Sequence, residues 1–409
     1  MELNSYKIKI LQVNNATKLY TIAQKDTRTI IGLMSGTSLD GLDIVCMQVE
    51  RFGADTKVDD IKFKTVSYSD DERAKIAHVF TKSQVDLQYL TVLNEWIGRL
   101  HGAMILDTLS EWNMTPNQID LIASHGQTIY HAPHSLHQLP GFDFDATLQI
   151  GDGDHIAATT GIITIADFRQ KHIAKGGEGA PLALYGDCIL LSDPARQRIL
   201  LNLGGISNYT YIPNKSSQHK AEASDIGPGN TLIDLLTQKF YNTPFDNDGL
   251  IGRSGTLIDV LLASLMEDTF FQLPYPKSTG QEYFNYSWLQ SHIDHLNTQI
   301  TNEDLICTVT HLTAKSVALC LNNLIQKYGL CDIFISGGGA MNKFLVELFH
   351  QYIPNTKIGF SDELGVPYDA KEAILFAILA NECVCNPYPN YHLIDKYGDF
   401  TMGKICFPA

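Results

Sequence analysis

Three short stretches set carboxylates among glycines, a combination suited to binding a ligand or moving a proton. In residues 29–50, TIIGLMSGTSLDGLDIVCMQVE, an apolar run meets a Gly/Ser/Thr-rich turn at 35–41, and a second apolar run follows. Successive N–H groups in such a turn form a concave anion site, with Ser35, Thr37 and Ser38 as extra hydroxyl donors. Gly36 and Gly41 would allow positive φ and close approach of a ligand. Asp40 would repel phosphate unless a divalent cation lay between them, so the combination suits a metal–nucleotide. An ordinary hairpin with a glycine-rich turn reads equally well. In DIGPGN (225–230), Pro228 stiffens a loop between two glycines, and Asp225 reads first as the cap of a helix starting near 230. In DFRQKHIAKGGEGAPL (167–182), Asp167 and Arg169 close a buried strand ahead of a loop containing Glu178. Loops at strand ends often hold ligand contacts, although Arg169 could instead pair with Asp167. His125, His131, His134 and His137 lack the HExxH spacing of helix-borne zinc ligands, and a polar loop is the plainer reading.

These stretches need elements to position them. Residues 29–50 predict a strand, a tight turn and a returning strand, and 57–68 continue the strand pattern. Leu87, Leu90, Leu93, Ile97, Leu100 and Met104 recur at helical spacing, with Ser83 and Asp86 as the capping signal. A short strand at 120–124 leads into His125-Gly126-Gln127-Thr128, then a loop at 131–145. Strands are expected at 147–150 and 161–168, with a helical stretch near 155–158 between them, and a helix at 182–191. RILLNLGGISNYTYI (198–212) repeats the strand, Gly turn, strand layout. IFISGGGAMNKFL (333–345) runs from a strand through Gly337, Gly338 and Gly339 into a helix whose N-terminus suits an anion. A helix at about 310–328 ends at Gly329. Another begins at Asp369, where Glu372 completes a capping-box-like pair. The layout predicts two similar halves: an N-terminal extension (1–28, with Ile8, Ile10 and Val13 alternating), a first domain (29–193) and a second (194–409), the last helix packing back on the first.

The chain has 409 residues, long for one core. Its formal charge of −15, from 30 basic and 45 acidic side chains, argues against nucleic acid or an anionic membrane as the main partner. Eight scattered cysteines without a CxxC pair read as thiols in a reducing compartment. The first 26 residues lack the apolar core of a signal peptide, and no segment approaches the roughly 20 apolar residues of a membrane span. The expected location is the cytoplasm.

Eight ordered motifs go further: GLMSGTSLDGLDIV (32–45), SHGQT (124–128), LQIGD (148–152), ADFR with GGEGAPL (166–182), NLGGISN (202–208), DIGPGN (225–230), PKSTGQEYFN (276–285) and ISGGGAMN (335–342). Together, over about residues 29–400, they resemble the anhydro-N-acetylmuramic acid kinase family of the actin-like ATPase superfamily. The resemblance implies an α/β fold of two actin-like (ribonuclease H-like) domains, each a mixed sheet flanked by helices, with a cleft between the domains. It implies ATP and Mg²⁺, a small sugar substrate, no nucleic acid or membrane partner, and a homodimer as the candidate assembly. The implied reaction opens the bridge of 1,6-anhydro-N-acetylmuramic acid with water and phosphorylates O6, giving N-acetylmuramic acid 6-phosphate in cell-wall sugar recycling. By motif match, Asp225 is the base, with Asp167 as the competing carboxylate. ATP would meet Ser35, Gly36, Thr37, Ser38, Leu39, Asp40, Gly41, Leu42, Gly204, Gly205 and Gly337–Gly339, with Asp40 near the metal. Sugar would meet His125, Gln127, Asp167, Arg169, Gly177, Glu178 and Glu372. His172 stands where the family usually has Asp, and ALYGD (183–187) departs from its commonest pattern.

Other readings stay open on sequence alone. A simple amino-sugar kinase of the same fold would phosphorylate without opening a bridge. A sugar-sensing repressor would need a DNA-binding helix pair that residues 1–28 do not offer. A chaperone-like switch would need a peptide-binding module after the ATPase.

Overall fold

The computed structural model describes residues 14–180, 182–296, 300–354, 356–367, 369–389, 394 and 400–409. The alternation expected at Ile8, Ile10 and Val13 lies outside them. The chain divides into two compact units, Met1–Gly186 with Glu372–Asn390 and Asp399–Ala409, and Asp187–Lys371 with Tyr391–Gly398.

In the first unit the strands are β1 (Thr27–Ser35), β2 (Gly41–Glu50), β3 (Lys57–Ser67), β4 (Leu121–Ala132), β5 (Ala146–Ile150) and β6 (Thr164–Ala166). The second unit contributes β7 (Gln197–Leu203), β8 (Ile206–Ile212), β9 (Glu222–Pro228), β10 (Cys331–Ser336) and β11 (Ile358–Phe360), and β12 (Lys404–Cys406) returns to the first. The first sheet has the order β12-β6-β4-β1-β2-β3, with β5 on β4; the second has β11-β10-β7-β8-β9. Each is mixed. A three-strand antiparallel meander is joined along its first strand by parallel strands, β4 and β6 in one and β10 and β11 in the other. The duplication expected from the layout is therefore present as strand order.

The crossovers match as well. Helix Leu87–Glu111 lies between β3 and β4, and Asn302–Tyr328 between β9 and β10. In β1, Ile31 and Leu33 pack with Ile97 and Ile105 of helix Leu87–Glu111 in one buried cluster, each such side chain contributing roughly 1.5–3 kcal/mol on burial. On the other face, a Cβ on Gly32 would lie 2.0 Å from the Ala373 carbonyl, so helix Lys371–Cys385 packs directly on β1. Asn302–Tyr328 is the one described helix long and apolar enough to cross a membrane, but most of it is buried core of the second unit.

Several local expectations are corrected. Asp86, not Ser83, caps helix Leu87–Glu111, accepting from the Tyr89 N–H. β4 continues through His125-Gly126-Gln127-Thr128 to Ala132, because Gln127–Ala132 pair with β5. Residues after Asp167 form a short helix, Phe168–Ala174, rather than starting a loop. The long second-unit helix begins at Asn302, eight residues before the apolar signal, capped by Thr301. The final helix begins at Lys371 rather than Asp369.

Candidate functional site

The first turn joins β1 to β2 with Met34 opposite Asp43. Neither Gly36 nor Gly41 adopts positive φ; Leu39 does, at 54°. Gly41 is needed because a Cβ there would lie 2.4 Å from the Val66 carbonyl on β3, whereas a Cβ on Gly36 meets nothing closer than 3.8 Å. Of the three hydroxyl residues, Ser35 is buried and turned inward. Its Oγ donates to Gln127 Oε1 at 2.5 Å, while Gln127 Nε2 donates to the Gly36 carbonyl at 3.0 Å. Tyr68 Oη lies 2.8 Å from Ser35 Oγ and 2.7 Å from His101 Nε2. Because Ser35 gives its only proton to Gln127, Tyr68 donates to Ser35 and His101 Nε2–H donates to Tyr68. His101 is then neutral, consistent with burial pushing its pKa down to about 4, and its buried Nδ1 has no partner. Gln127 thus braces the turn from behind, with no exposed surface for a sugar. Thr37 and Ser38 are exposed, and Ser38 Oγ donates to Asp40 at 2.6 Å.

Arg169 is the centre of the expected sugar residues in the first unit. Its Nε donates to His125 Nε2 at 2.8 Å and its Nη1 to the Gly179 carbonyl at 2.7 Å. The His125 proton therefore sits on Nδ1, facing the Gly126 carbonyl at 2.9 Å. Burial, helped by the Arg169 charge, pushes the His125 pKa down to about 3. With both nitrogens engaged and Phe376 against its ring at 4.7 Å, His125 orients Arg169. The Glu372 charge supports the guanidinium, and Glu178 and Arg169 both act on His131. His172, the departure from the family pattern, is buried and accepts from the Gly179 N–H at 3.0 Å. A Cβ on Gly177 would lie 2.3 Å from its Nε2, so the loop needs glycine there for packing. Asp167 pairs with Lys404 instead of Arg169. With His125, Asn94, Ser124, Gln149 and Asp152 it borders a cavity of about 650 Å³ beside helix Leu87–Glu111, which Arg169, Glu178 and Glu372 do not line.

In the second unit three glycine motifs converge. The Gly204 carbonyl accepts from the Asn230 N–H at 2.8 Å, and the Gly205 carbonyl from Gly229 at 2.8 Å and Thr231 at 3.1 Å. A Cβ on Gly229 would lie 2.2 Å from the Gly204 oxygen, and one on Gly339 2.8 Å from Asn230 Oδ1. Gly337 has φ 84°, and a short 3-10 turn, Gly338–Met341, separates it from helix Lys343–Tyr352, which Asn342 caps. The glycine turn therefore does not run straight into the helix. Asp225 lies within β9, six residues before helix Thr231–Tyr241, whose N-cap position is Asn230, so it is not that helix's cap. A bulge between Gly227 and Asp225 aims its side chain. The half-buried carboxylate accepts from the Thr279 N–H at 2.9 Å. Burial pushes its pKa up while that N–H pulls it down. Thr279 lies inside a quoted motif, but its contact with Asp225, 54 residues away, left no mark in the sequence. Tyr68 and His101 carried no signal, being polar residues in a strand end and a helix.

The chain matches the family model described as anhydro-N-acetylmuramic acid kinase over residues 28–392. It is 47% identical over 395 residues to the anhydro-N-acetylmuramic acid kinase of Pseudoalteromonas atlantica, covering 96% of this chain and 98% of the relative. The enzyme of the same name from Pseudoalteromonas translucida is 46% identical, covering 96% and 98%. That from Caldanaerobacter subterraneus subsp. tengcongensis is 37% identical over 393 residues, covering 95% and 99%.

Proposed function

The chain belongs to the anhydro-N-acetylmuramic acid kinase family, and we propose that Asp225 is the base of its bridge-opening and phosphorylating reaction. The enzyme uses ATP to convert 1,6-anhydro-N-acetylmuramic acid to N-acetylmuramic acid 6-phosphate and ADP. Water must attack C1 on the face opposite the bridging oxygen, as in inverting glycoside hydrolysis. Asp225 takes the proton of that water, the C1–O6 bond breaks, and O6 accepts the γ-phosphoryl group as its negative charge develops. One carboxylate suffices, because phosphorylation of O6 replaces protonation of the leaving oxygen. The observation that carries this reading is a half-buried carboxylate beside the converging glycine turns, held at one oxygen by a backbone N–H.

Turn 35–42 is the cradle for β/γ-phosphate, and Gly204, Gly205 and Gly337–Gly339 approach the rest of the nucleotide. The room at Gly36, where a Cβ would meet nothing closer than 3.8 Å, supports close approach of a ligand. Among the described residues no three His, Cys, Asp or Glu side chains form a metal group. The exposed Asp40 instead fits Mg²⁺ held chiefly by phosphate and water. When bound, the ion neutralises phosphate charge. Arg169, Glu178 and Glu372 are the sugar contacts, with His125 and Gln127 behind them; Gly177 shapes their loop by packing on His172, and Asp167 is a further sugar contact at the neighbouring cavity. The unit boundary at Gly186 and Asp187 supports a domain division near residue 193. Eight free cysteines support a cytoplasmic setting.

Asp225→Asn keeps the shape and removes the basicity, so turnover should fall by roughly 10²–10⁴-fold with ATP and sugar binding nearly intact. In H₂¹⁸O the wild-type product should carry label at C1. Asp167→Asn should instead weaken folding or sugar affinity. Near-normal turnover in Asp225→Asn, with turnover abolished in folded Asp167→Asn, would move the base to Asp167.

A further inference from the structure

The segment PKST at 276–279 has a buried cation that the reaction described above does not use. Lys277 is 8% exposed. Its Nζ donates to the Phe270 carbonyl at 2.8 Å and lies 4.3 Å from the Phe270 ring centroid and 4.6 Å from that of Tyr275. Burying an ammonium without a carboxylate partner is costly, and an aliphatic residue would fill the same space at less expense. The main chain of the same residue is tied to the strand that carries the base. The Lys277 N–H donates to Ser224 Oγ at 2.8 Å, and the Lys277 carbonyl accepts from the Asp225 N–H at 3.0 Å and from Ser224 Oγ at 3.0 Å. Two residues further on, the Thr279 N–H reaches Asp225 Oδ2.

We propose that Lys277 is a positioning residue for the reaction: its ammonium, locked in the aromatic cage, holds 277–279 against β9 so that Thr279 fixes one oxygen of Asp225. The other oxygen is then aimed at the water to be activated. This rests on the reading of Asp225 as the base. The clamp acts on orientation and on basicity, because the Thr279 N–H favours the ionised carboxylate against the effect of burial. The charged group beside the 277–279 segment is the exposed Glu282, whose carboxylate lies against Gly280 next to Thr279; Asn208, Phe271, Ser316 and Cys320 are uncharged near neutrality. Asn208 lies opposite on β8, Phe271 and Ser316 lie near Gly227, and Cys320 of helix Asn302–Tyr328, its thiol pushed up by burial to about 12, faces Lys277. The nearest charge on β9 is Glu222, which is bonded to Tyr209, Tyr328 and Lys327.

Lys277→Met keeps the stem among the rings and removes the charge. The expected result is a kcat lower by at least about tenfold, with KM for ATP and for the anhydro sugar within about twofold. The acidic limb of the kcat/KM profile should also move to higher pH by roughly half a unit or more, since losing the Thr279 contact raises the pKa of the base. A purely structural lysine would not move that limb. Ser224→Ala, which cuts two of the main-chain ties, should shift the limb in the same direction and serves if Lys277→Met does not fold. A folded Lys277→Met, or failing that a folded Ser224→Ala, with wild-type kcat and an unmoved limb overturns the clamp. Asp225→Asn, assayed alongside, separates the two ideas. Its collapse beside a fully active Lys277→Met removes the clamp alone, whereas its near-normal turnover removes both the base and the clamp.

Discussion

The two glycine turns hold the same place in the strand order of their sheets, yet they are held by different means. The first, between β1 and β2, is supported by side chains: Gln127 and Ser35 directly, Tyr68 and His101 behind them. The second, between β7 and β8, is supported chiefly by main-chain N–H groups of Gly229, Asn230 and Thr231, with the Thr231 hydroxyl and Asn230 amide adding bonds to the Gly205 and Leu203 carbonyls. Side-chain support can be removed one atom at a time and contains a group that titrates. Main-chain support survives side-chain deletion but leaves no room for an added carbon. A shared pattern in sequence therefore predicts opposite vulnerabilities.

The largest effect should come from filling the second turn. Gly229→Ala places a methyl 2.2 Å from a carbonyl oxygen, and overpacking against backbone should cost about 3 kcal/mol or more in urea unfolding. A loss below about 1 kcal/mol would mean the turn can open freely.

Next is Tyr68→Phe, which leaves the Nε2–H of His101 buried without an acceptor. A loss of about 1–3 kcal/mol is expected. Thr231→Val is the counterpart in the second turn. The Gly205 carbonyl loses a 2.7 Å bond from Thr231 Oγ1 but keeps the N–H of the same residue, so the loss should stay under about 1 kcal/mol. Equal losses in the two variants would erase the contrast.

Acid provides a third test. His101 and His125 have folded pKa values of about 4 and about 3, against roughly 6.5 in an unfolded chain. The unfolded chain takes up these protons first. Their contribution is fully present above about pH 6.5 and is lost as pH falls toward 4 and 3, at up to about 1.4 kcal/mol per pH unit for each group. His101→Gln keeps a donor for Tyr68 without the titration, so its stability should fall less steeply between pH 6 and 4.5. Parallel slopes would place the acid sensitivity elsewhere.

The smallest effect on stability should be at Gly36, where a Cβ would make only ordinary contacts, 3.8 Å from Ser38 Oγ and 3.9 Å from Met34 Cε. Gly36→Val should unfold like wild type to within about 0.5 kcal/mol, with native far-UV circular dichroism, while raising the ATP requirement strongly. Unchanged ATP kinetics would remove the phosphate cradle from this turn.

Much of the fold was legible because it rests on local pattern. The apolar runs on either side of residues 35–41 and 204–205 gave both meanders, and the spacing from Leu87 to Met104 gave the crossover helix. The site was legible mainly through motifs, which mark positions without showing which way a side chain faces. Ser35 reads as a ligand contact as a hydroxyl in a glycine turn, and His125 and Gln127 through the family motif SHGQT; each is turned inward by partners up to 92 residues away. Leu39 takes the left-handed conformation expected of a neighbouring glycine, since the close approach of β3 and not the turn's curvature fixes Gly41. Asp225 looked like a cap because residues 225–230 do precede a helix. The pairing of β9 with β8, which pulls Asp225 into the sheet, is a long-range contact with no local trace.

The direct packing of Ala373 on Gly32 has a consequence for how the protein is made. A ribosome delivers helix Lys371–Cys385 long after β1, so one face of the first sheet waits while the whole intervening second unit is synthesised. Contacts this distant in sequence fold slowly, and an apolar sheet face left open meanwhile is prone to aggregate. Nascent chains stopped short of residue 371 should therefore bind general chaperones and resist proteases poorly, however complete their strands.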